Sequence, residues 1–196
     1  MLREFHCIQD CSDCCINRQY YPSIDYGKIG VLLLPEEKME IEDLAESYKI
    51  NITILPRLGI GINKKSNGPR QVIAYQLMGS NIDGDYCPFL DIKSNNRSPH
   101  GGFNCVIYNE RPLSCQAYPA LKENNTDVEL DCNCKFSCQY SKQVNKNLLD
   151  TELSVLSRIR NNFERFTQQT IWRYATHIGE KRYTKFLLPR GWYLQK

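Results

Sequence analysis

An α+β fold is what this sequence predicts: a small domain of short antiparallel strands and loops, stapled through its cysteines, followed by a long C-terminal helical segment. Three observations carry the expectation. The ten cysteines gather in bunches instead of scattering along the 196 residues. Short runs rich in β-branched residues, at 51–55, 58–62 and 71–78, are separated by turn chemistry. Residues 142–175 hold neither proline nor glycine, and Leu149, Leu153, Leu156, Ile159, Phe163 and Phe166 recur there at three- and four-residue steps. The expected boundary falls at Cys138, with residues 1–138 forming the cysteine domain and residues 139–196 a basic helical extension packed on it.

The elements follow in order. The chain to Cys15 reads as a cysteine-bearing loop or short helix, and 29–34 as a strand. Pro35-Glu36-Glu37 starts a helix well, because proline suits the first helical position and carboxylates suit the positive end of the dipole. Met39, Ile41, Leu44, Ala45 and Tyr48 carry its apolar stripe. The three β-branched runs make an antiparallel meander, with Asn67-Gly68-Pro69 turning between the last two and Asp83-Gly84-Asp85 turning again to deliver Cys87. Residues 91–104, with Ser94, Asn95, Asn96, Ser98, Pro99, Gly101 and Gly102, form a surface loop. After Tyr118-Pro119, residues 126–130 suit one more strand. The long helix then runs on, with room for a break near Gln168.

Composition excludes several classes. With 41% hydrophobic and 24% charged residues, disorder, collagen and coiled coil do not describe the chain. No apolar run approaches the ~20 residues of a membrane span. The N-terminal Met-Leu-Arg-Glu-Phe-His-Cys lacks the apolar core of a signal peptide, so the expected location is cytoplasmic, with no membrane partner. Thiols there stay reduced, and their number calls for another use, of which metal coordination is the commonest. Disulfides need an oxidising compartment and are the lesser reading.

Spacing agrees with metal. Cys7, Cys11, Cys14 and Cys15 lie within nine residues, Cys87, Cys105 and Cys115 are spread through the middle, and Cys132, Cys134 and Cys138 make a second tight group. Cys7-x3-Cys11-x2-Cys14 can wrap three sulfurs round one centre, whereas the adjacent Cys15 points elsewhere. The doublet therefore indicates two nearby sites, or one site with a further thiol beside it. Ten thiols allow two four-thiolate centres with two to spare, and Cys138, just before the helix, is expected to supply a ligand missing from the N-terminal group. A zinc ribbon carries two Cys-x2-Cys knuckles. Only Cys11 to Cys14 makes one here, so an iron–sulfur cluster, of the 4Fe-4S type, is the preferred occupant and zinc the alternative. The first three cysteines also have the radical S-adenosylmethionine spacing, but the chain has too few of the strand–helix units that accompany it.

The middle segment, Cys105-Val-Ile107-Tyr108-Asn-Glu-Arg111-Pro112-Leu-Ser-Cys115-Gln-Ala-Tyr118-Pro119, resembles the signature of the CxxCxxCC or YkgJ-type family, described as zinc- or iron-chelating. Cys87-Pro88-Phe89-Leu90 and Cys11-Ser-Asp-Cys14-Cys15 resemble two further boxes of that family in the same order. The sequence departs from the pattern in the Cys7–Cys11 spacing, at Ser12 and at Gln116. The resemblance implies metal binding. A related domain occurs in flagellin lysine N-methylases, so S-adenosylmethionine-dependent methyl transfer is a further reading that the resemblance implies.

Around such a centre Arg111 offers five donors to thiolates or carbonyls, and Tyr108 and Tyr118 can shield sulfur from water; Arg111 and Tyr108 are thus the expected cofactor-binding residues beside the metal ligands. Pro112 can begin a short helix that turns Cys115 toward the same metal. For Ile107 and the tyrosines the plainer reading is core packing, and for Arg111 it is a surface pair with Glu110 or Asp131. His6 sits beside Cys7, while His100 and His177 have no evident partner in sequence. No nucleophile triad, phosphate loop or H-E-x-x-H occurs, so any chemistry belongs to the metal centre, whose expected role is structural and redox. Charge divides unevenly, net −4 over 1–138 and net +7 over 139–196. With Trp172, Tyr174, Tyr183, Trp192 and Tyr193, that basic segment offers a surface for a protein or nucleic-acid partner. A solvated face with its aromatics in the core is the plainer account.

Overall fold

The computed structural model describes residues 7–16, 22–23, 27–28, 30–61, 68–80, 86–124, 128–140, 148–176 and 191–194, with only the backbone of 22–23, 27–28 and 138–140. The first half holds helix α1 (Asp13–Ile16), strands β1 (Pro22–Ser23), β2 (Gly27–Lys28) and β3 (Val31–Leu33), helix α2 (Pro35–Ser47), and strands β4 (Ile54–Ile60) and β5 (Gln71–Leu77). Strands β6 (Leu90–Asp91) and β7 (Asn104–Cys105), a 3-10 turn (Tyr108–Glu110) and helix α3 (Leu113–Gln116) follow. Strands β8 (Ala120–Glu123) and β9 (Val128–Leu130), helices α4 (Lys135–Tyr140) and α5 (Asp150–Glu164), and strands β10 (Ile171–Ala175) and β11 (Gly191–Leu194) complete the order. Two compact units result: Met1–Arg18 with Asp85–Asn162, and Gln19–Gly84 with Phe163–Lys196.

The second unit is built on a five-stranded antiparallel sheet in the order β11-β10-β4-β5-β3. Alternating apolar residues bury Val31, Leu33, Ile73 and Leu77. Helix α2 packs on β3 and β5 through Glu37, Ile41 and Ala45, four residues apart and all buried. The Glu37 carboxylate accepts the Leu34 N–H at 2.7 Å, which satisfies one donor at the helix start. The expected runs 51–55 and 58–62 are one strand, β4, whose register slips against β5 around Pro56 and Leu58. Pro56 lacks the N–H that would keep the ladder regular, so the ladder bends there instead of ending. Asn67 and the turn Asp83-Gly84-Asp85 lie outside the described residues.

The expected long C-terminal helical segment is not what forms. Among the described residues the helix there is α5, 15 residues long, and the chain beyond it turns into strands β10 and β11. The apolar period that predicts the helix holds from Leu149 to Ile159, but Ile171, Trp172 and Tyr174 are β-branched or aromatic and suit a pleated surface better. Ile171 pairs with Ile60, Trp172 with Gly59 and Arg173 with Leu58, and Trp172 is buried. Tyr174 lies opposite Trp192, their rings edge-on at 5.2 Å. Sheet pairing therefore overrides a weak local helical preference, and the fold is a five-stranded sheet with small sheets and short helices.

The first unit is loop-rich. One core cluster gathers Ala120, Leu149 and Leu153, with Val128, Leu130 and Leu156 packed against them, so the apolar face of α5 covers the β8–β9 hairpin. Phe89 and Ile107 are also fully buried, beside the short β6–β7 pair in which Leu90 faces Cys105 and Asp91 faces Asn104.

Candidate metal centre

Four loops of the first unit carry the thiols. In the N-terminal loop the Cys11 N–H donates to the Ile8 carbonyl at 3.1 Å, turning Cys7 back toward Cys11. Asp10 sits at φ 59, a left-handed conformation that aspartate tolerates. Its N–H donates to the His100 carbonyl at 2.8 Å, tying this loop to the 97–103 loop. Gly101, at φ 87, requires the absence of a side chain, and Gly102 lies directly on the Cys11 carbonyl and the Ser12 hydroxyl. Helix α1 then presents Cys14 and Cys15 at successive positions, their sulfurs 3.8 Å apart.

The other thiols are brought to this helix from both sides. The Cys87 N–H donates to the Cys15 carbonyl at 2.8 Å, and the Leu90 N–H to the Cys87 carbonyl at 3.0 Å. Leu90 is paired with Cys105, so one short hairpin delivers both Cys87 and Cys105. Pro112 precedes α3, and its carbonyl accepts the Cys115 N–H at 2.8 Å, as the proline start predicts. The Asp131 carboxylate accepts the Asn133 N–H at 2.9 Å, and the Asp131 carbonyl accepts the Cys134 N–H at 3.1 Å, closing a turn that buries Cys134. Lys135 pairs with Asp13 at 3.2 Å and pins that turn to α1.

A cavity of about 260 Å³ opens here, lined by the thiols of Cys7, Cys11, Cys14, Cys115 and Cys134 and by His100, Tyr108, Arg111, Tyr118, Lys135 and Glu152. Arg111 does not face outward toward Glu110 or Asp131. Its guanidinium carbon stands 3.8 Å from the centre of the Tyr108 ring and its Nε–H donates to the Tyr108 carbonyl at 2.7 Å. The Gln116 amide donates to the Arg111 carbonyl at 2.5 Å, which fixes the backbone beneath it.

The thiols disturb one another. Burial, then the charges of Cys14, Cys11 and Cys134, push Cys7 up to about 12, against a pull from the Ile8 N–H. Cys105 is raised to about 11 by burial and by Cys115 and Cys14, while the Ile107 N–H and the Arg111 charge lower it. For Cys15 the hydrogen bond from Cys14 pulls down, yet the bond with Cys87, burial and the charges of Cys87 and Cys115 carry it well above the ordinary thiol value. Burial also raises Cys134, opposed by the N–H groups of Ser137 and Phe136 and by the Ser137 hydroxyl. Raised in this way, these groups are neutral thiols near pH 7, and a metal ion that binds them displaces their protons.

Among the described residues nine of the expected ligands stand outside any disulfide: Cys7, Cys11, Cys14, Cys15, Cys87, Cys105, Cys115, Cys132 and Cys134. Eight of them are half-buried or buried, whereas Cys132 is exposed, its sulfur 3.8 Å from the Asn133 amide. The Cys138 side chain, His6 and His177 lie outside the described residues. Among the described residues no group of three or more Cys, His, Asp or Glu side chains is placed so that it could hold a metal ion. A metal would gather its ligands from these loops. The donor set itself, buried thiols supported by N–H groups, fits a thiophilic ion or cluster. Sequence reasoning did not find Asp13, Lys135, Gln116 and Glu152 at this cavity and gave His100 no partner. The Gly101-Gly102 pair was the one local signal that the 97–103 loop makes a close approach.

No curated protein and no solved structure matches the chain. Residues 6–135 match the family model CxxCxxCC, described as “Putative zinc- or iron-chelating domain”. This span takes in all nine of these cysteines, and the chain belongs to the CxxCxxCC family.

Proposed function

We propose that this protein is a thiolate metal carrier whose first unit holds an iron–sulfur cluster in a structural and redox role. The observation that carries the reading is the cavity lined together by the thiols of Cys7, Cys11, Cys14, Cys115 and Cys134, since soft sulfur donors gathered in one place suit a thiophilic ion or cluster. The preference for iron–sulfur over zinc is supported by the spacing, with three thiols on one loop and single thiols arriving from others. When bound, such a cluster supplies one-electron redox chemistry. The chain's own residues do the rest: Ile8, Ile107, Phe136 and Ser137 donate N–H groups to sulfur, and Arg111 sets a permanent positive charge near Cys105. Cys11→Ser and Cys115→Ser should each lower bound metal severalfold in protein purified without oxygen, since serine is a far poorer donor than a thiolate. Full occupancy in both variants contradicts the reading.

The cavity supports a second reading. A catalytic centre needs an open position beside groups that can hold a substrate. Arg111, His100 and Tyr118 line such a space next to four N-terminal and turn thiols. Micromolar, metal-dependent binding of S-adenosylmethionine, measured by calorimetry, would favour methyl transfer; absence of binding favours the non-catalytic carrier.

A further inference from the structure

We propose that the cavity beside the thiols binds a small carboxylate, gripped by the Nη groups of Arg111. The inference rests on the thiolate-metal reading above and names the class of ligand that lies next to the metal. Arg111 lines the cavity together with Cys7, Cys14 and Cys115. Its side chain is fixed from the Nε side. The Nε–H donates to the Tyr108 carbonyl at 2.7 Å, and the guanidinium carbon stands 3.8 Å from the centre of the Tyr108 ring. The Gln116 amide holds the Arg111 carbonyl, and the tilted His100 ring lies 6.2 Å from that of Tyr108. These contacts leave the outer end of the fork unused. Among the described residues the Nη groups have neither a hydrogen-bond acceptor nor an ion-pair partner.

A guanidinium whose plane is already set loses little freedom on binding, and its outer N–H groups match the two oxygens of a carboxylate. Phosphate also suits such a fork, and charge decides between them. A phosphate group carries about −1.5 to −2 at pH 7, whereas a carboxylate carries a single charge. With metal bound, the thiols of the same wall are thiolates, which repel the second charge. Size narrows the class further. The cavity of about 260 Å³ falls below the roughly 300–1,000 Å³ usual for ligand pockets, and the metal takes part of it. That suits a monocarboxylate of a few carbons, or the carboxylate end of a longer molecule.

Propionate labelled with carbon-13 at its carboxyl is the probe, added to the full chain loaded with cobalt(II) in the absence of oxygen. Cobalt(II) is paramagnetic and takes thiolate sites whether iron or zinc is the native occupant, so it broadens the resonance of a carboxyl held close by. The broadening should saturate with propionate, and Arg111→Gln should weaken the binding at least tenfold while cobalt is retained. Propionate should also protect Arg111 of the unaltered chain from phenylglyoxal, as read by peptide mass spectrometry, and this readout decides if the variant does not fold. A cobalt-loaded chain that shows neither saturable broadening nor protection overturns the carboxylate site and leaves the thiolate reading intact. Equal broadening by the folded Arg111→Gln variant also overturns it, since the carboxylate then sits on the metal alone. Inorganic phosphate that displaces propionate at lower concentration overturns the choice of ligand. A chain that takes up no cobalt defeats the thiolate reading, and this proposal with it.

Discussion

Arg111 is the residue in which shape matters more than charge. Its guanidinium carbon lies 3.8 Å from the Tyr108 ring centre and its Nε–H is bonded to the Tyr108 carbonyl, two contacts that use the planar fork. Arg111→Lys keeps the charge but loses both, so we expect about 1 kcal/mol of lost stability by urea unfolding, close to the effect of Arg111→Ala. Full rescue by lysine would show that charge alone suffices. Asp91 makes a different kind of test. The Ser94 hydroxyl, then the Ser94 N–H and the Lys93 N–H, hold its carboxyl below the ordinary 3.8, helped by Arg97. A lowered folded pKa gives stability that is present above 3.8 and lost as pH falls through the depressed value. Asp91→Asn should therefore be less stable than the unaltered chain at pH 6 and equal to it under strong acid, in parallel thermal melts. A constant gap at both pH values contradicts this.

At the scale of elements, the 97–103 loop holds the N-terminal thiol loop in place. A methyl on Gly102 would meet the Cys11 carbonyl and the Ser12 hydroxyl. Gly102→Ala should cost on the order of 2 kcal/mol and reduce metal retention, checked by urea unfolding and metal analysis of the same sample. In the second unit, Glu37→Ala removes the acceptor for the Leu34 N–H and should cost about 1 kcal/mol in a thermal melt. Helix α2 and the β5 strand were legible because proline punctuation, acidic first turn and β-branched alternation all agree there. The Pro112 start of α3 was legible for the same reason. Strands β10 and β11 were not, because the pairing that makes them lies with Ile60, Gly59 and Leu58, more than a hundred residues earlier. Local periodicity carries no trace of such a partner. The cysteine boxes announced the candidate site, yet Lys135 and Asp13, which pin its far wall, are ordinary surface residues until the fold brings them to 3.2 Å.

At the scale of the whole molecule, the chain divides into a sheet unit and a thiol-bearing unit, each threaded by two separate stretches of sequence. No helix among the described residues is long and apolar enough to cross a membrane. The thiol-bearing unit brings cysteines from several loops together, and bound metal would tie those loops to one another. Removing the metal with a strong chelator should then lower the melting temperature of the full chain, as followed by circular dichroism. The most direct test of the account is the composition of protein purified and kept without oxygen, assayed together for iron, zinc and acid-labile sulfide. A cluster of the 4Fe-4S type gives a brown protein with iron and sulfide in equal amounts. Stoichiometric zinc without sulfide would contradict the iron–sulfur assignment, and a metal-free protein with its thiols intact would contradict the thiolate centre itself.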